Sequence, residues 1–174
     1  MSIRQLGWYF AAHPELLDDP ILRAVFNPDA LARWDSPERR AEVVDADNFE
    51  NSKAAFRQLQ DFLKTIHDAG IQVAIGTDAG TANVPFGWGL HREMAIYVEA
   101  GLTPMQAIVA ATATGAAQIP PLGEADFGTL VPGKVADLVV LDADPLVDIR
   151  NTQRIDRVMR LGEWVDRTRL LPTN

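Results

Sequence analysis

A short apolar segment enclosed by glycines places the strongest constraint on the fold of this 174-residue chain. Residues 71–75 are rich in β-branched side chains, and Gly70 and Gly76 lie directly on either side of them. Such a run is typical of a strand that is buried in a parallel sheet. Before it, apolar residues recur at helical spacing, namely Phe56, Leu59, Leu63 and Ile66. The order helix, glycine, strand predicts the second half of an α/β repeat.

Capping residues predict where the helices begin and end. Ser36, followed by a proline, is the expected N-cap of a long helical stretch that ends at Gly70. Thr103 and Gln106 form a capping box that starts an alanine-rich helix running to about residue 117. Three further helical segments are shorter, and they cover about residues 3–12, 29–34 and 90–98.

The pattern changes to β after residue 126. Residues 127–130 and 136–141 predict a hairpin-like unit, and residues 154–160 with 164–167 predict a final strand pair. The arginines of the first strand of that pair are expected on a solvated face, and they are Arg154, Arg157 and Arg160. We therefore divide the chain into a helical part, residues 1–120, and a β tail, residues 121–174.

Composition excludes several classes of function. The net charge of −8, without a basic stripe, argues against a nucleic-acid partner. The absence of cysteine excludes disulfides, thiolate metal sites and cysteine nucleophiles. No stretch approaches the roughly 18 apolar residues of a membrane span. We therefore expect a cytoplasmic protein that does not associate with a membrane.

Asp78 is the first candidate for chemistry. It follows the carboxyl end of the predicted strand, where α/β folds place their active sites, and Gly76 and Gly80 allow a ligand to approach the backbone. The alternative is an aspartate that caps the following turn with Thr77 as its partner. Position alone leaves both interpretations open.

Five ordered segments resemble the amidohydrolase superfamily, in particular its imidazolonepropionase-like and prolidase-like branch. Their sequences are Ile-Gly-Thr-Asp-Ala-Gly, His-Arg-Glu-Met, Glu-Ala-Gly-Leu-Thr-Pro, Gly-Thr-Leu-Val-Pro-Gly-Lys-Val-Ala-Asp-Leu-Val-Val-Leu and Asp-Pro, at residues 75–80, 91–94, 99–104, 128–141 and 144–145. The resemblance covers roughly residues 55–167. It implies an α/β fold: the last repeats of a (β/α)8 (TIM) barrel, with residues 71–77 as the eighth strand, plus C-terminal strands of a small composite β-sandwich.

The resemblance also implies a reaction. Asp78 is then the catalytic aspartate, which contacts a divalent metal ion and accepts a proton from the metal-bound water. Zinc is the metal that the resemblance implies, and a bound zinc ion lowers the pKa of its water towards about 7. The implied activity is metal-dependent hydrolysis of a C–N bond in a small-molecule amide, a cyclic amide or a peptide-like amide.

The chain departs from the family in its histidines. Members carry a His-x-His pair and further histidines on earlier strands, whereas this chain has His13, His67 and His91 and no such pair. A catalytic zinc takes about three protein ligands, and a whole barrel takes about 250 residues. We therefore expect a C-terminal fragment that is inactive alone. The alternative is a non-catalytic remnant, or a complementing subunit that acts by contact with an N-terminal half or in a homo-oligomer.

Three further residues are candidates for substrate contact. His91 begins the helix after the active-site loop, although packing of its ring on that loop is the alternative. Phe86 and Trp88 could wall a pocket above Asp78 or pack within the loop itself. The other two histidines carry no functional prediction, because His67 is expected on a helix surface and His13 precedes a proline in irregular sequence.

Overall fold

The computed structural model describes residues 6–45, 49–79, 84–119 and 125–169. The chain forms two compact units. The first takes residues 1–62 and 76–93, and the second takes residues 63–75 and 94–174. The predicted division into residues 1–120 and 121–174 separates the barrel part of the family fold from its β-sandwich part. This division stays a prediction. Within the described residues, no helix is long and apolar enough to cross a membrane.

Four short helices open the first unit. They are α1 (Leu6–Ala12), α2 (Pro20–Val25), α3 (Pro28–Asp35) and α4 (Pro37–Val44). Proline occupies the first position of α2, α3 and α4, where its missing N–H costs no hydrogen bond. Asp19, Asn27 and Ser36 cap these three helices by accepting backbone N–H groups. The predicted cap at Ser36 and the two predicted short helices are confirmed, while residues 3–5 lie outside the described range.

Aromatic rings fill the core of the first unit. Tyr9, Phe10 and Trp88 are fully or almost fully buried. The Phe10 ring lies 6.3 Å from the rings of Phe26 and Trp88, and 6.4 Å from that of Trp34. Aromatic pairs at such distances add to the stability that burial provides.

The long helix α5 (Phe49–Asp68) carries the predicted apolar stripe. Leu63 is buried and Phe56 and Ile66 are half-buried, but Leu59 is 51% exposed. The single helical stretch predicted from residue 36 is therefore two helices, α4 and α5, and residues 46–48 between them lie outside the described residues. The predicted end at Gly70 is confirmed, because this glycine has a φ of 80°.

The predicted buried strand over residues 71–75, extended to 77 as the eighth barrel strand, is not formed. No residue of this segment is assigned to a strand, and Ile71 is 55% exposed. The segment is held instead by single bonds: the Ile75 N–H donates to the Ala110 carbonyl at 3.1 Å, and the Tyr97 hydroxyl donates to the Ala74 carbonyl at 3.2 Å. A parallel strand requires a neighbouring parallel strand, and the strands of the described residues form an antiparallel sheet.

Three helices follow the loop: α6 (Trp88–Glu99), α7 (Pro104–Ala111) and α8 (Ala113–Ala117). Both bonds of the predicted capping box between Thr103 and Gln106 are present. The predicted continuous helix to residue 117 is interrupted at Thr112, whose φ of −123° and ψ of −87° are not helical. The Thr112 hydroxyl donates to the Ile108 carbonyl at 2.7 Å, an alternative partner that competes with regular helix geometry.

The core of the second unit is small and apolar. It is built by Leu63, Met94, Ala95, Tyr97, Leu102, Ala107, Ala110 and Ile149. Ala107 and Ala110 lie on α7, and their small side chains allow neighbouring backbone to approach closely.

A three-stranded antiparallel sheet completes the second unit, in the order β1 (Leu138–Leu141), β2 (Ile155–Arg160) and β3 (Glu163–Trp164). The predicted final strand pair is confirmed as the pairing of β2 and β3, but its second strand ends at Trp164 rather than at residue 167. The three arginines that were predicted on a solvated face, Arg154, Arg157 and Arg160, are exposed. The predicted hairpin between residues 127–130 and 136–141 is wrong, because β1 pairs with β2, with Leu138 opposite Met159.

Gly128 explains why residues 127–130 form no strand. This glycine has a φ of 84°, and a Cβ atom there would lie 2.5 Å from the Cβ of Ala116 and 3.1 Å from the carbonyl oxygen of Thr112. The backbone at Gly128 therefore passes close to Ala116 and Thr112 at the end of the helical region, and residues 127–130 do not pair as a strand.

Candidate active site at Asp78

Asp78 lies on an exposed turn of the first unit, directly after the extended segment. Its φ is 56°, in the left-handed region that most residues with a side chain avoid, although aspartate enters it more readily than most. Residues held in this region persist only where the surrounding structure fixes them, and they are frequent at functional sites. Asp78 is therefore an exposed residue on a constrained backbone. Gly80 lies outside the described residues.

Two hydrogen bonds fix the backbone on either side of Asp78. The Gly76 N–H donates to Oε1 of Glu93 at 3.5 Å. The Ala79 N–H donates to the Thr77 hydroxyl oxygen at 3.2 Å, so that Thr77 closes the turn. The alternative interpretation, in which Asp78 caps the following turn, stays open, because an aspartate accepts N–H groups two or more residues on and residues 80–83 lie outside the described part of the chain.

Glu93 is the most unusual group near this turn. It lies in the second turn of α6 and its exposed fraction is 0%. Burial raises the pKa of its carboxyl group. A glutamate that is fully buried is uncommon unless its charge or its hydrogen bonds are used.

Trp88 lies inside the first unit rather than on its surface. Its side chain is 1% exposed, and its indole Nε1–H donates to Oδ2 of Asp19 at 2.9 Å. The other carboxylate oxygen of Asp19 accepts the N–H groups of Ile21 and Leu22 at the start of α2. Asp19 therefore joins the start of α6 to the cap of α2.

His91 and Phe86 differ in their exposure. His91 is half-buried, and burial lowers the pKa of its imidazole, an effect that the negative charge of Asp19 opposes. Phe86 is 70% exposed, which leaves its ring free of the core. All four candidates, Asp78, Phe86, Trp88 and His91, belong to the same unit, and their roles in catalysis and substrate binding stay predictions.

The sequence analysis assigned no role to Arg92, Glu93 or Asp19, although the first two lie in a segment that resembles the family. The Arg92 Nε–H donates to the Tyr9 hydroxyl at 2.6 Å, and the Arg92 guanidinium carbon lies 5.4 Å from the centre of that buried ring. The partners of Arg92 and Trp88 are 83 and 69 residues away in sequence, so that no local pattern reveals them. Only the run of three charged or ionisable residues at 91–93, inside an otherwise apolar helix, could have raised the question.

A metal ion would need more ligands than this turn supplies. Among the residues that the structure describes, no three His, Cys, Asp or Glu side chains come together as a metal site. His13 pairs with Glu15 at 3.3 Å, and His67 is half-buried on α5. Asp78 alone does not meet the requirement of about three protein ligands for a catalytic zinc.

The β2–β3 hairpin carries an open groove of about 520 Å³. Its lining consists of Arg160, Leu161, Glu163, Trp164 and Val165. None of the residues predicted for the active site lines it, and an open groove on a two-strand ribbon does not enclose a ligand in the way that small-molecule sites do.

Known proteins match much of this chain. The imidazolonepropionase of Cutibacterium acnes is 38% identical over 111 residues, which are 59% of this chain and 26% of that protein. The imidazolonepropionase of Streptomyces griseus subsp. griseus is 45% identical over 107 residues, which are 56% of this chain and 25% of that protein. The chain therefore spans about a quarter of the length of these curated relatives.

Solved structures point in the same direction. A putative prolidase from Bifidobacterium longum is 31% identical, with a TM-score of 0.59 over 87% of this chain and 34% of that chain. A Xaa-Pro dipeptidase with methionine bound in its active site has a TM-score of 0.56 over 93% of this chain and 33% of that chain, and at 24% identity it shows the fold alone. The sequence model of the Amidohydrolase family matches residues 30–165, which is more than half of the chain. This chain therefore belongs to the amidohydrolase family.

Proposed function

We propose that this chain supplies the last catalytic carboxylate, Asp78, of a metal-dependent amidohydrolase. The observation that carries the proposal is the exposed carboxylate on a constrained left-handed turn, inside the region that matches the family. The reaction is hydrolysis of a C–N bond in a small amide or cyclic amide. The names of the relatives, imidazolonepropionase and prolidase, support a substrate of this class.

Asp78 acts as a proton carrier in this proposal. An exposed carboxylate accepts a proton from an attacking water and passes it to the leaving nitrogen, a role that accounts for roughly 10²- to 10⁴-fold in rate. Half-buried His91 and exposed Phe86 belong to the same unit and are proposed to contact the substrate, with Trp88 as the support behind them.

The remaining metal ligands come from outside the described residues in this proposal. We infer that zinc is the metal of the complete site, and that residues 71–77 take the place of a barrel strand when a parallel neighbour is present. The sheet of β1 to β3 would likewise be one part of a small β-sandwich. The chain alone is therefore expected to show no measurable turnover.

Complementation tests the proposal. The chain is co-expressed with an imidazolonepropionase truncated before its own last catalytic segment, and hydrolysis is assayed on an imidazolone substrate and on Xaa-Pro dipeptides. We expect activity that Asp78→Asn lowers by at least about 100-fold. The matched control is Asp45→Asn, which changes an exposed carboxylate at the end of α4.

Two results would contradict the proposal. Restored activity that survives Asp78→Asn removes Asp78 from the reaction. Robust turnover by the isolated chain with zinc, abolished by Asp78→Ala, overturns the statement that the site is incomplete.

A second candidate function is supported by the surface of α5. Leu59 and Phe62, one helical turn apart, are 51% and 60% exposed. We infer that this pair belongs to a surface that contacts another protein, as expected of a complementing subunit that docks without chemistry of its own. Sedimentation that shows a stable monomer, with no binding to the truncated relative, would contradict this alternative.

A further inference from the structure

We propose that Glu93 is the positioning residue for Asp78: its buried carboxylate accepts the Gly76 N–H and so fixes the backbone that presents the Asp78 carboxylate. The functional meaning of this inference rests on the role proposed for Asp78. The geometry that it describes does not depend on any reaction.

The burial of Glu93 requires an explanation. Removing a carboxylate from water is costly unless hydrogen bonds compensate for the lost hydration. An apolar side chain would fill the same interior position of α6 without that cost, yet Glu93 is 0% exposed. One contact of this carboxylate is the bond from the Gly76 N–H, and Gly76 lies two residues before Asp78 with no helix or sheet partner of its own.

A second contact from the same helix face supports this assignment. Gly89 lies one turn before Glu93, so the two residues occupy the same face of α6. A Cβ atom at Gly89 would lie 3.8 Å from the Cβ of Thr77 and 3.2 Å from Cγ1 of Val84. The helix therefore meets the segment before Asp78 twice, by close backbone approach at Thr77 and by a hydrogen bond at Gly76.

The opposite side of Asp78 is fixed locally. The bond from the Ala79 N–H to the Thr77 hydroxyl closes the turn after the aspartate. Together, Glu93 and Thr77 hold the residues on both sides of a backbone whose φ is 56°. A left-handed aspartate needs such over-determined surroundings to remain in one conformation.

Nuclear magnetic resonance of the whole chain tests the inference. The readouts are the Gly76 amide proton shift and the Asp78 coupling between the amide proton and Hα, which reports φ. Both are properties of the folded chain, so that a general loss of stability does not move them. We expect Glu93→Met to move both readouts, and Glu93→Gln, which keeps an acceptor oxygen, to restore them to the wild-type values.

Matched variants keep the test decisive. Leu22→Ala removes a fully buried side chain from the same unit and is expected to lower stability while leaving both readouts unchanged. Where Glu93→Met does not fold, Glu93→Asp takes its place, because it shortens the side chain by one methylene and withdraws the acceptor.

Unchanged readouts in Glu93→Met or Glu93→Asp overturn the inference, and so do readouts that move equally in Glu93→Gln. No metal or substrate enters this experiment. A failure of Asp78 in the complementation assay is therefore distinguishable from a failure of Glu93 as its positioning residue.

Discussion

The left-handed backbone of Asp78 lowers stability at the residue for which we propose a catalytic role. With a φ of 56°, any side chain at this position carries a conformational cost that glycine does not. We expect Asp78→Gly to be more stable than Asp78→Ala by about 0.5–1 kcal/mol in urea unfolding, although both variants lose the carboxylate. Equal stability of the two variants would show that this φ is not maintained in solution.

His91 makes the stability of the chain depend on pH. Burial lowers the pKa of its imidazole. The folded state therefore favours the neutral form of this histidine more strongly than the unfolded state does. The resulting stability is fully present above the ordinary pKa of about 6.5 and is lost as the pH falls below it. We expect His91→Gln to flatten the decline in free energy of unfolding between about pH 7 and pH 5. A decline that is as steep in the variant as in the wild type would contradict this assignment.

At the residue scale, the sequence identified Asp78 but not the groups that hold it. Asp78 is the last residue of a local motif, Gly-Thr-Asp, and the position of this motif after an apolar segment is visible in the sequence. The partner of Gly76 is Glu93, 17 residues later and across a loop. A helix period does not show that a glutamate faces inward, because most glutamates face solvent.

At the scale of elements, the β2–β3 hairpin contains a correctable turn. Leu161 and Gly162 connect the strands with φ values of 52° and 82°, and two-residue turns with two positive φ values favour Asn-Gly. Leu161 is 68% exposed, so that little packing depends on it. We expect Leu161→Asn to raise the free energy of unfolding by about 0.5–1 kcal/mol, measured in urea.

The matched control for this turn is Leu161→Ala. Alanine also has a Cβ atom in the left-handed region and cannot hydrogen-bond locally, so that no gain is expected. A gain from Ala as large as the gain from Asn would show that removal of an exposed leucine, rather than turn geometry, is responsible.

Elements that local signals determine were predicted well. The caps at Ser36 and Thr103 and the end at Gly70 depend on residues within one turn of the helix end, and each is formed as expected. The strands predicted over residues 71–75 and 127–130 depend on partners elsewhere, and the structure forms neither. Apolar, β-branched sequence indicates a tendency to be buried in a sheet, but it cannot supply the neighbouring strand.

At the scale of the whole molecule, the sequence motifs predicted the family. They did not show whether the metal site is complete. The spaced segments between residues 75 and 145 fall within the region that matches the amidohydrolase family, residues 30–165. The chain spans about a quarter of its curated relatives, and ligands of a barrel metal site come from many strands. The incompleteness of the metal site, which was inferred from the three histidines of the chain, stays a prediction.

The two bonds that bracket Asp78 have a consequence for how such chains diversify. Both acceptors, on Thr77 and Glu93, lie outside the connection formed by residues 80–87. Replacements at Phe86, which is 70% exposed within that connection, should therefore leave the aspartate in place, whereas Val84 is 4% exposed and tolerates less change. A library randomised at Phe86 should therefore yield folded variants in which the backbone of Asp78 keeps its conformation.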